Sequence, residues 1–316
     1  MRPLRKFIPA SIRHRILGWM AKAGFVIGRS LPRPIGLALF SFLGWACYYI
    51  LGTDRRLTVR NLQFVFGNEW NKKKIRAVAQ AVFISQGKNL FDAVYLGGAK
   101  DNVFDNIVSH DSLYGVAQAC ERGKGIVAVT AHLGCFEMLL HLFARRGLEC
   151  FAIGRAFKNP DVDETVRMMR SGPGIEYIDR SESTRKIVRL LKHGKVMGVL
   201  IDQDTHVEGV FADFLGHPAF TPSSAVRFAM KLGIPMFVSV TARLPGNKHH
   251  VYVSKEIIPV NTGDQKADLV TNIQKINDII SEYIRKHPEQ WVWMHERWKT
   301  QPVETTITDP TDLPRL

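Results

Sequence analysis

Acidic residues are scarce in the first third of this 316-residue chain. Residues 1–100 contain 17 Lys and Arg but only three acids, Asp54, Glu69 and Asp92, a net charge of +14. Residues 101–316 contain 26 residues of each sign. The charge excess is therefore confined to one region. Such a region is typical of a protein that binds nucleic acid, an anionic membrane surface or an acidic partner.

Other absences narrow the class of protein. The four cysteines have no CxxC spacing, which argues against a disulfide scaffold or structural zinc and favours a reducing compartment. Nucleotide binding has no support, because GxGxxG and Walker loops are missing, and a serine hydrolase is disfavoured because no GxSxG elbow occurs. The HExxH pattern is missing too, and we expect no metal site.

Charge is also missing from residues 35–53. Before this run, residues 1–34 alternate basic and apolar positions, as in an amphipathic helix at a membrane interface. The uncharged run reaches the lower limit of roughly 17 residues for a spanning helix, but a helix dipped into one leaflet fits equally well. Arg55, Arg56 and Arg60 come directly after this run, where they could bind anionic lipid headgroups on the cytoplasmic side of a membrane. We predict a membrane-associating helical segment; a core helix capped by solvated arginines is the alternative.

After Gly125, short apolar runs alternate with amphipathic segments. The predicted strands are residues 126–130, 150–154, 175–178, 196–201, 236–242 and 250–256. The predicted helices are residues 135–146, 161–170, 183–192, 223–231 and 265–287. This alternation predicts an α/β protein with a mostly parallel central sheet flanked by helices. In such sheets the chemistry lies at the carboxyl ends of the strands.

One polar pair follows the first of these strands. On one continuous helix, His132 and Glu137 would face about 140° apart. A break between strand and helix instead lets Glu137 point back at His132, where a carboxylate fixes the tautomer that a general base needs. The alternative is that the pair has no catalytic role: His132 is then a polar residue that ends a strand, and Glu137 is an acid near the positive N-terminus of a helix.

Other polar residues near these strand ends have simpler explanations. Cys135, close to His132, is better explained as a packed side chain than as a nucleophile. Asp202 and Asp204, which follow a predicted strand, could either chelate a divalent ion or cap a turn.

The segment Thr130-Ala131-His132-Leu133-Gly134-Cys135-Phe136-Glu137 resembles the His-x4-Glu/Asp block of the lipid A biosynthesis (lysophospholipid-type) acyltransferases. Later segments fit the same family in order, over nearly the whole chain: residues 155–160, Arg170 with the glycines after it, 178–180, 192–194, 201–216 and 291–299. Two departures stand out. Cys135 lies where the family often has Asn, and Lys22 interrupts the first apolar run, which favours an interfacial helix over a spanning one.

The resemblance implies a glycerolipid acyltransferase-like fold. It also implies transfer of a fatty acyl chain from an acyl carrier protein thioester to a hydroxyl of a lipid A precursor, on the cytoplasmic face of the bacterial inner membrane. His132 would be the general base and Glu137 its orienting partner. The other residues assigned to substrate binding are Arg155, Asn159, Arg170, Asp204 and Gly134. Of these, Arg170 or the N–H of Gly134 would meet the oxyanion.

The implied partners are acyl carrier protein, a glycolipid acceptor and the membrane surface, without nucleic acid or a cofactor. We predict a membrane-associating segment over 1–60, an acyltransferase domain over 61–300 and a polar tail over 301–316. Three alternatives stay open. One is the same chemistry on a phosphatidylinositol mannoside, an ornithine lipid or a lysophospholipid, with acyl-CoA as a further donor. The second is a non-catalytic membrane-binding relative, and the third is thioesterase or hydrolase action as a side reaction when the acceptor is absent.

Overall fold

The computed structural model describes residues 10–154, 156–179, 184–205 and 207–302. Arg155 and most of the predicted polar tail lie outside these residues. The helices are α1 Ala10–Ser30, α2 Arg33–Ile50, α3 Gly52–Phe66, α4 Lys72–Gly97, α5 Asp101–Ile107, α6 Tyr114–Glu121, α7 Met138–Arg145, α8 Pro160–Arg170, α9 Thr184–Lys192, α10 Ser224–Leu232 and α11 Gln265–Lys286. Short polar side chains begin three of them: Asn71, Asn159 and Asp264 each accept backbone N–H groups of the first turn.

The strands are β1 Val108–His110, β2 Ile126–Thr130, β3 Cys150–Gly154, β4 Ile175–Asp179, β5 Val196–Leu200, β6 Gly209–Phe214, β7 His217–Pro222, β8 Met236–Arg243 and β9 His249–Val253. Seven of them form one sheet in the order β1-β9-β8-β2-β5-β3-β4. From β8 to β4 every neighbouring pair is parallel, and only the pairing of β8 with β9 is antiparallel. The predicted mostly parallel α/β sheet is therefore confirmed.

Strand β2 lies in the middle of this sheet, and all five of its residues are buried. Its side chains alternate between two cores, because successive side chains of a strand point to opposite faces. Val127 and Val129 pack with α9, α10 and α11, whereas Ile126 and Ala128 pack with α6 and α7. Burial on both faces explains the uninterrupted apolar run in the sequence and fixes where the chain leaves the sheet at Thr130.

The predicted strands within residues 126–256 all appear, with ends that differ by at most three residues. Three features differ from prediction. The β6–β7 hairpin and β1 were missed, and the predicted helix over 135–146 begins only at Met138. The aromatic segment 290–295, whose sequence also has the composition of a strand, forms only a single bridge, between Trp291 and Leu133, just after a 3₁₀ turn at Pro288–Gln290. That bridge holds the chain against the end of β2.

The N-terminal helices pack on the rest of the protein through glycines. A side chain at Gly44 of α2 would lie 2.3 Å from the Phe83 carbonyl oxygen, and one at Gly87 of α4 would lie 2.2 Å from that of Phe40. The two helix backbones therefore touch directly. Within the described residues, no single helix has the length and composition of a membrane span; α2 and α3 together do, but a 90° bend separates them. The division into segments at residue 60 stays a prediction.

Candidate active site

His132 lies two residues past the end of β2 and is bound by a carboxylate that lies two residues past the end of the neighbouring strand, β5. Its Nδ1 is 2.8 Å from Asp202 Oδ1, and its backbone N–H donates to Asp202 Oδ2 at 2.7 Å. Thr130 pairs with Leu200 in the parallel register of β2 and β5, so residues 132 and 202 leave the sheet level with each other. The register thus explains the contact.

Asp202 is fully buried, whereas the side chain of His132 is 25% exposed. Burial opposes the charge of Asp202, but the adjacent His132 and the Trp291 indole N–H, 2.7 Å from Oδ2, hold the pKa of Asp202 below its ordinary value. An ionised Asp202 accepts the proton on Nδ1. The lone pair of His132 is therefore on Nε2, the nitrogen that a general base needs free.

The loop that carries His132 is held from two sides. The His132 carbonyl accepts the N–H of Val292 at 3.2 Å, and the Leu133 carbonyl accepts the hydroxyl of Thr241 on β8 at 2.9 Å. Gly134 turns the chain with φ +58°, and a Cβ there would lie 2.4 Å from the Thr241 carbonyl oxygen. Only glycine fits this position, because it tolerates both the positive φ and the close approach. His132 is thus fixed before any substrate arrives.

In this structure Glu137 is hydrogen-bonded to Arg170 rather than to His132, so its role as the orienting partner stays a prediction. Glu137 ends the turn before α7 and binds Arg170, the last residue of α8, with Oε1 2.5 Å from Nη2 and Oε2 2.9 Å from Nε. Although burial opposes its charge, the Glu137 carboxylate raises the pKa of Arg170 above its ordinary value. Arg170 therefore keeps its charge, and a second partner, Tyr177, lies 3.4 Å from Arg170 Nη1.

An apolar cavity of about 70 Å³ lies behind this ion pair, between α7 and the sheet; we call it the α7 cavity. Its polar end is formed by Glu137, Arg170 and Tyr177. Its apolar wall includes Leu139, Leu140, Phe143, Ala152, Gly198 and Val199. Thr130 and Phe136 also line it, and the Phe136 ring lies 4.8 Å from the imidazole of His132. The histidine and the cavity thus share a wall.

Three other predicted site residues, Asp204, Asn159 and Gly134, have partners within the protein, and Arg155 lies outside the described residues. Asp204 is buried, and its carboxylate accepts the Thr300 N–H at 2.9 Å. This bond fixes the segment that follows Trp298. The side chain of Asn159 accepts the Asp161 N–H at 3.0 Å, as a helix cap does. The N–H of Gly134 donates to the Gln290 carbonyl at 3.1 Å, so it is not open to an oxyanion. Their roles toward substrate stay predictions.

Sequence reasoning missed two residues of the site, Asp202 and Trp291. Asp202 belongs to the acidic segment after β5, but the family resemblance pointed to its neighbour Asp204. The parallel register gives the signal, since 132 and 202 are each two residues past paired strand ends. Trp291 carried no such signal, because it reaches Asp202 from 89 residues away in the sequence.

Two other kinds of site considered from the sequence are a Cys135 nucleophile and a bound metal ion. Burial raises the pKa of the Cys135 thiol, which packs inside the protein with its Sγ 3.6 Å from the Asn89 carbonyl oxygen. This environment disfavours a thiolate nucleophile. In the part of the chain that the structure describes, no group of three or more His, Cys, Asp and Glu side chains is placed to hold a metal ion.

A histidine with a buried carboxylate partner, at the carboxyl edge of a parallel sheet and beside an apolar cavity, defines an α/β protein with a candidate general-base site. Comparison with known proteins identifies the family. The chain belongs to the bacterial lipid A biosynthesis acyltransferases, whose family model matches residues 6–300. It is by membership an acyltransferase of lipid A biosynthesis.

Individual relatives are distant but similar over nearly their full length. The chain is 24% identical over 310 residues to the lipid A biosynthesis lauroyltransferase of Escherichia coli (strain K12), covering 96% of this chain and 98% of that protein. It is 24% identical over 295 residues to the lipid A biosynthesis palmitoleoyltransferase of the same strain, covering 91% and 92%. A solved structure, the 1-acyl-sn-glycerophosphate acyltransferase PlsC from Thermotoga maritima, matches with a TM-score of 0.36 and 11% identity, covering 79% and 95%.

Proposed function

We propose that this protein transfers a fatty acyl chain from an acyl carrier protein thioester to a hydroxyl of a lipid A precursor, with His132 as general base. The observation that supports the proposal most is the bond between His132 Nδ1 and the buried Asp202, which leaves Nε2 as the proton acceptor. Asp202 takes the orienting part that sequence reasoning gave to Glu137. The relatives named for lipid A acyl transfer support the acceptor.

In the proposed reaction, His132 Nε2 takes the proton of the acceptor hydroxyl while that oxygen attacks the thioester carbonyl carbon. The C–S bond then breaks, and the leaving thiolate takes the proton from the imidazolium. Asp202 stabilises the imidazolium between these two transfers because its charge lies next to Nδ1. A positioned base of this kind contributes typically about 10²–10⁴-fold to a rate.

We assign the α7 cavity to the acyl chain. Its apolar wall excludes water, which protects a thioester from hydrolysis. At about 70 Å³ it is smaller than the roughly 150 Å³ that holds benzene in an engineered cavity. Bound chains therefore require movement of side chains such as Leu140 or Phe136. Arg170, held by Glu137 at the cavity's polar end, is the candidate to meet the thioester oxyanion.

The N-terminal helices support a membrane location at the cytoplasmic face of the inner membrane. Large apolar side chains are exposed on α1 and α2, among them Trp19 at 73% and Ile50 at 75%. Large exposed apolar patches are rare on monomeric soluble proteins and mark surfaces that meet a partner or a membrane. The net charge of +14 in the first 100 residues suits both anionic lipid and an acidic carrier protein.

The test is mass spectrometry of a lipid A precursor incubated with acyl carrier protein thioester and the purified full-length protein. We expect a mass increase of one acyl group with the wild type, and its loss with His132→Ala. The matched control is His193→Ala, which removes an exposed histidine just after α9. It should acylate at the wild-type rate.

Acylation that survives His132→Ala at a comparable rate would overturn the general-base proposal. A wild-type protein that leaves the lipid A precursor unchanged but acylates a lysophospholipid would overturn the proposed acceptor. Glu137→Ala provides a further distinction. We expect it to slow the reaction through Arg170, with less effect than His132→Ala, because Glu137 does not touch the base.

A further inference from the structure

The 90° bend between α2 and α3 creates a groove that α4 closes from the side. It has a volume of about 690 Å³, and we call it the basic groove. Its aromatic and cationic lining consists of Tyr48, Tyr49, Arg55, Arg56, Arg60 and Arg76. The first three arginines follow one another in α3, but Arg76 comes from the first turns of α4. Only folding brings these four guanidinium groups around one space.

The positive charge of the basic groove is largely unbalanced. None of its described lining residues is acidic. Within the described part of the chain, the one carboxylate within 4.0 Å of these guanidinium groups is that of Glu296, 3.9 Å from Arg60 Nη2, and both of those side chains are more than half exposed. Arg55 instead lies over the Tyr48 ring, 5.5 Å from its centroid. The groove thus offers several charged N–H donors without an internal anion.

An exposed apolar stripe leads along α2 to this groove. Ile35, Leu39, Phe42 and Tyr49 are 57%, 41%, 60% and 53% exposed, and their spacing of four, three and seven residues places them on one helix face. Tyr49 belongs to both features, because it ends the stripe and lines the groove. The protein therefore presents an apolar surface that ends in a cluster of cations.

We propose that the basic groove binds the phosphate of an anionic membrane lipid while the apolar stripe of α2 lies among the acyl chains. The inference rests on the membrane location in the proposed function and adds a headgroup site to it. Guanidinium groups bind phosphate oxygens in pairs, with charge-assisted hydrogen bonds. An apolar helix face with cations at its rim is the arrangement of a helix at an anionic interface.

A lipid explains the two surfaces together better than an acidic protein does. In a lipid, the phosphate is covalently joined to acyl chains, so one layer of molecules satisfies the groove and the stripe at once. Carboxylates on a soluble carrier protein would engage the arginines but leave the exposed stripe of α2 in water. The groove also has aromatic walls in Tyr48 and Tyr49, which are favoured at the headgroup level of membranes.

The test measures binding of the full-length protein to vesicles of phosphatidylcholine alone and of phosphatidylcholine with phosphatidylglycerol. We expect the wild type to prefer the vesicles that contain phosphatidylglycerol. Replacing the four arginines by Gln should weaken that binding by roughly fivefold for each arginine, the effect of one cation near an anionic surface. Binding to pure phosphatidylcholine should change little. Because Arg55 is half-buried, the triple variant R56Q/R60Q/R76Q provides a second test that leaves folding undisturbed, since its three arginines are all exposed.

The matched control removes the same charge elsewhere, by Lys→Gln changes at four exposed lysines outside α1–α4: Lys124, Lys255, Lys266 and Lys275. If this control weakens binding as much as the groove variants, net charge rather than the groove is responsible, and the proposal is wrong. It is also wrong if the groove variants bind both vesicles like the wild type but lose affinity for acyl carrier protein. His132→Ala should bind vesicles like the wild type, so a failure of the catalytic proposal is distinguishable from a failure of this one.

Discussion

Two buried aspartates in this protein each bind a histidine, and the two pairs have different surroundings. Asp202 binds Nδ1 of His132 at 2.8 Å, and Asp92 of α4 binds Nε2 of His249 on β9 at 2.9 Å. Both carboxylates are fully buried, but the side chain of His132 is 25% exposed while that of His249 is 0% exposed. A hydrogen bond between histidine and aspartate thus occurs once with a partly exposed histidine and once with a histidine that is fully buried.

The interior pair is also surrounded by cations. Arg33 Nε lies 2.8 Å and Arg243 Nη1 lies 2.6 Å from the Asp92 carboxylate. Burial alone would raise the pKa of Asp92, but the hydrogen bonds from His249 and Arg33 hold it well below its usual range. This cluster joins α2, α4, β8 and β9. A histidine–carboxylate pair is therefore a candidate base only where the histidine faces an opening; elsewhere it joins elements of the fold.

The largest expected difference between the pairs is in activity. We expect His132→Gln to lower the acylation rate by about 10²–10⁴-fold, because the base is lost, with little change in the free energy of unfolding. His249→Gln should destabilise the protein but leave the rate per folded molecule within a few-fold of wild type. Acylation assays at matched folded fraction, determined by circular dichroism, distinguish the two. Equal loss of rate in both variants would contradict the distinction.

Removing the interior carboxylate should have the largest effect on stability. Asp92→Asn leaves Arg33 and Arg243 without their counter-charge, and these side chains are only 13% and 8% exposed. We expect a loss of about 3–5 kcal/mol in the free energy of unfolding in urea. The control is Asp111→Asn, a 42%-exposed carboxylate that also binds a histidine, His250. It should cost no more than about 1 kcal/mol, and equal losses would refute the argument from burial.

At the active site, the two acids after β5 should differ. Asp202→Asn removes the charge that orients His132, and we expect kcat to fall about 10²-fold, as small misplacements of a catalytic group do, with KM nearly unchanged. Asp204→Asn should leave kcat close to wild type, because Asp204 binds the Thr300 N–H instead. Steady-state kinetics of both variants test this. A larger loss of kcat in the Asp204 variant would favour the sequence-based assignment of Asp204 to the site.

The smallest expected effect is a pH dependence of stability from His249. Burial lowers the pKa of His249, so below about pH 6.5, the ordinary value, the unfolded chain binds a proton that the folded protein does not. Stability should therefore fall as the pH falls below that value, by at most about 1.4 kcal/mol per pH unit for one group. Urea unfolding between pH 7.5 and 5.5 should show a weaker dependence in His249→Gln. An unchanged slope would exclude this contribution.

Much of the sheet could be predicted, because buried parallel strands are continuous apolar runs with clear ends. The predicted bounds of β2 and β3 are those observed. The β6–β7 hairpin was missed because its turn lacks the Asn-Gly or Asp-Gly signal. Leu215 and Gly216 form it with φ of 57° and 88°, conformations in which a leucine is unexpected. The hydroxyl of Ser281 on α11 accepts the Leu215 N–H at 3.0 Å, a tertiary contact beyond the reach of local patterns.

Composition and local pattern were enough to predict the basic first third, the alternation of strands and helices, and the position of His132 at the end of a strand. Those properties depend on composition and on residues near one another in the chain. No local pattern could show that Asp202, itself bound by Trp291, is the carboxylate beside that histidine. The physical reason is strand order: β5 lies beside β2 in the sheet, which brings Asp202 to His132 across 70 positions of sequence. Glu137 turns away because Arg170 binds it.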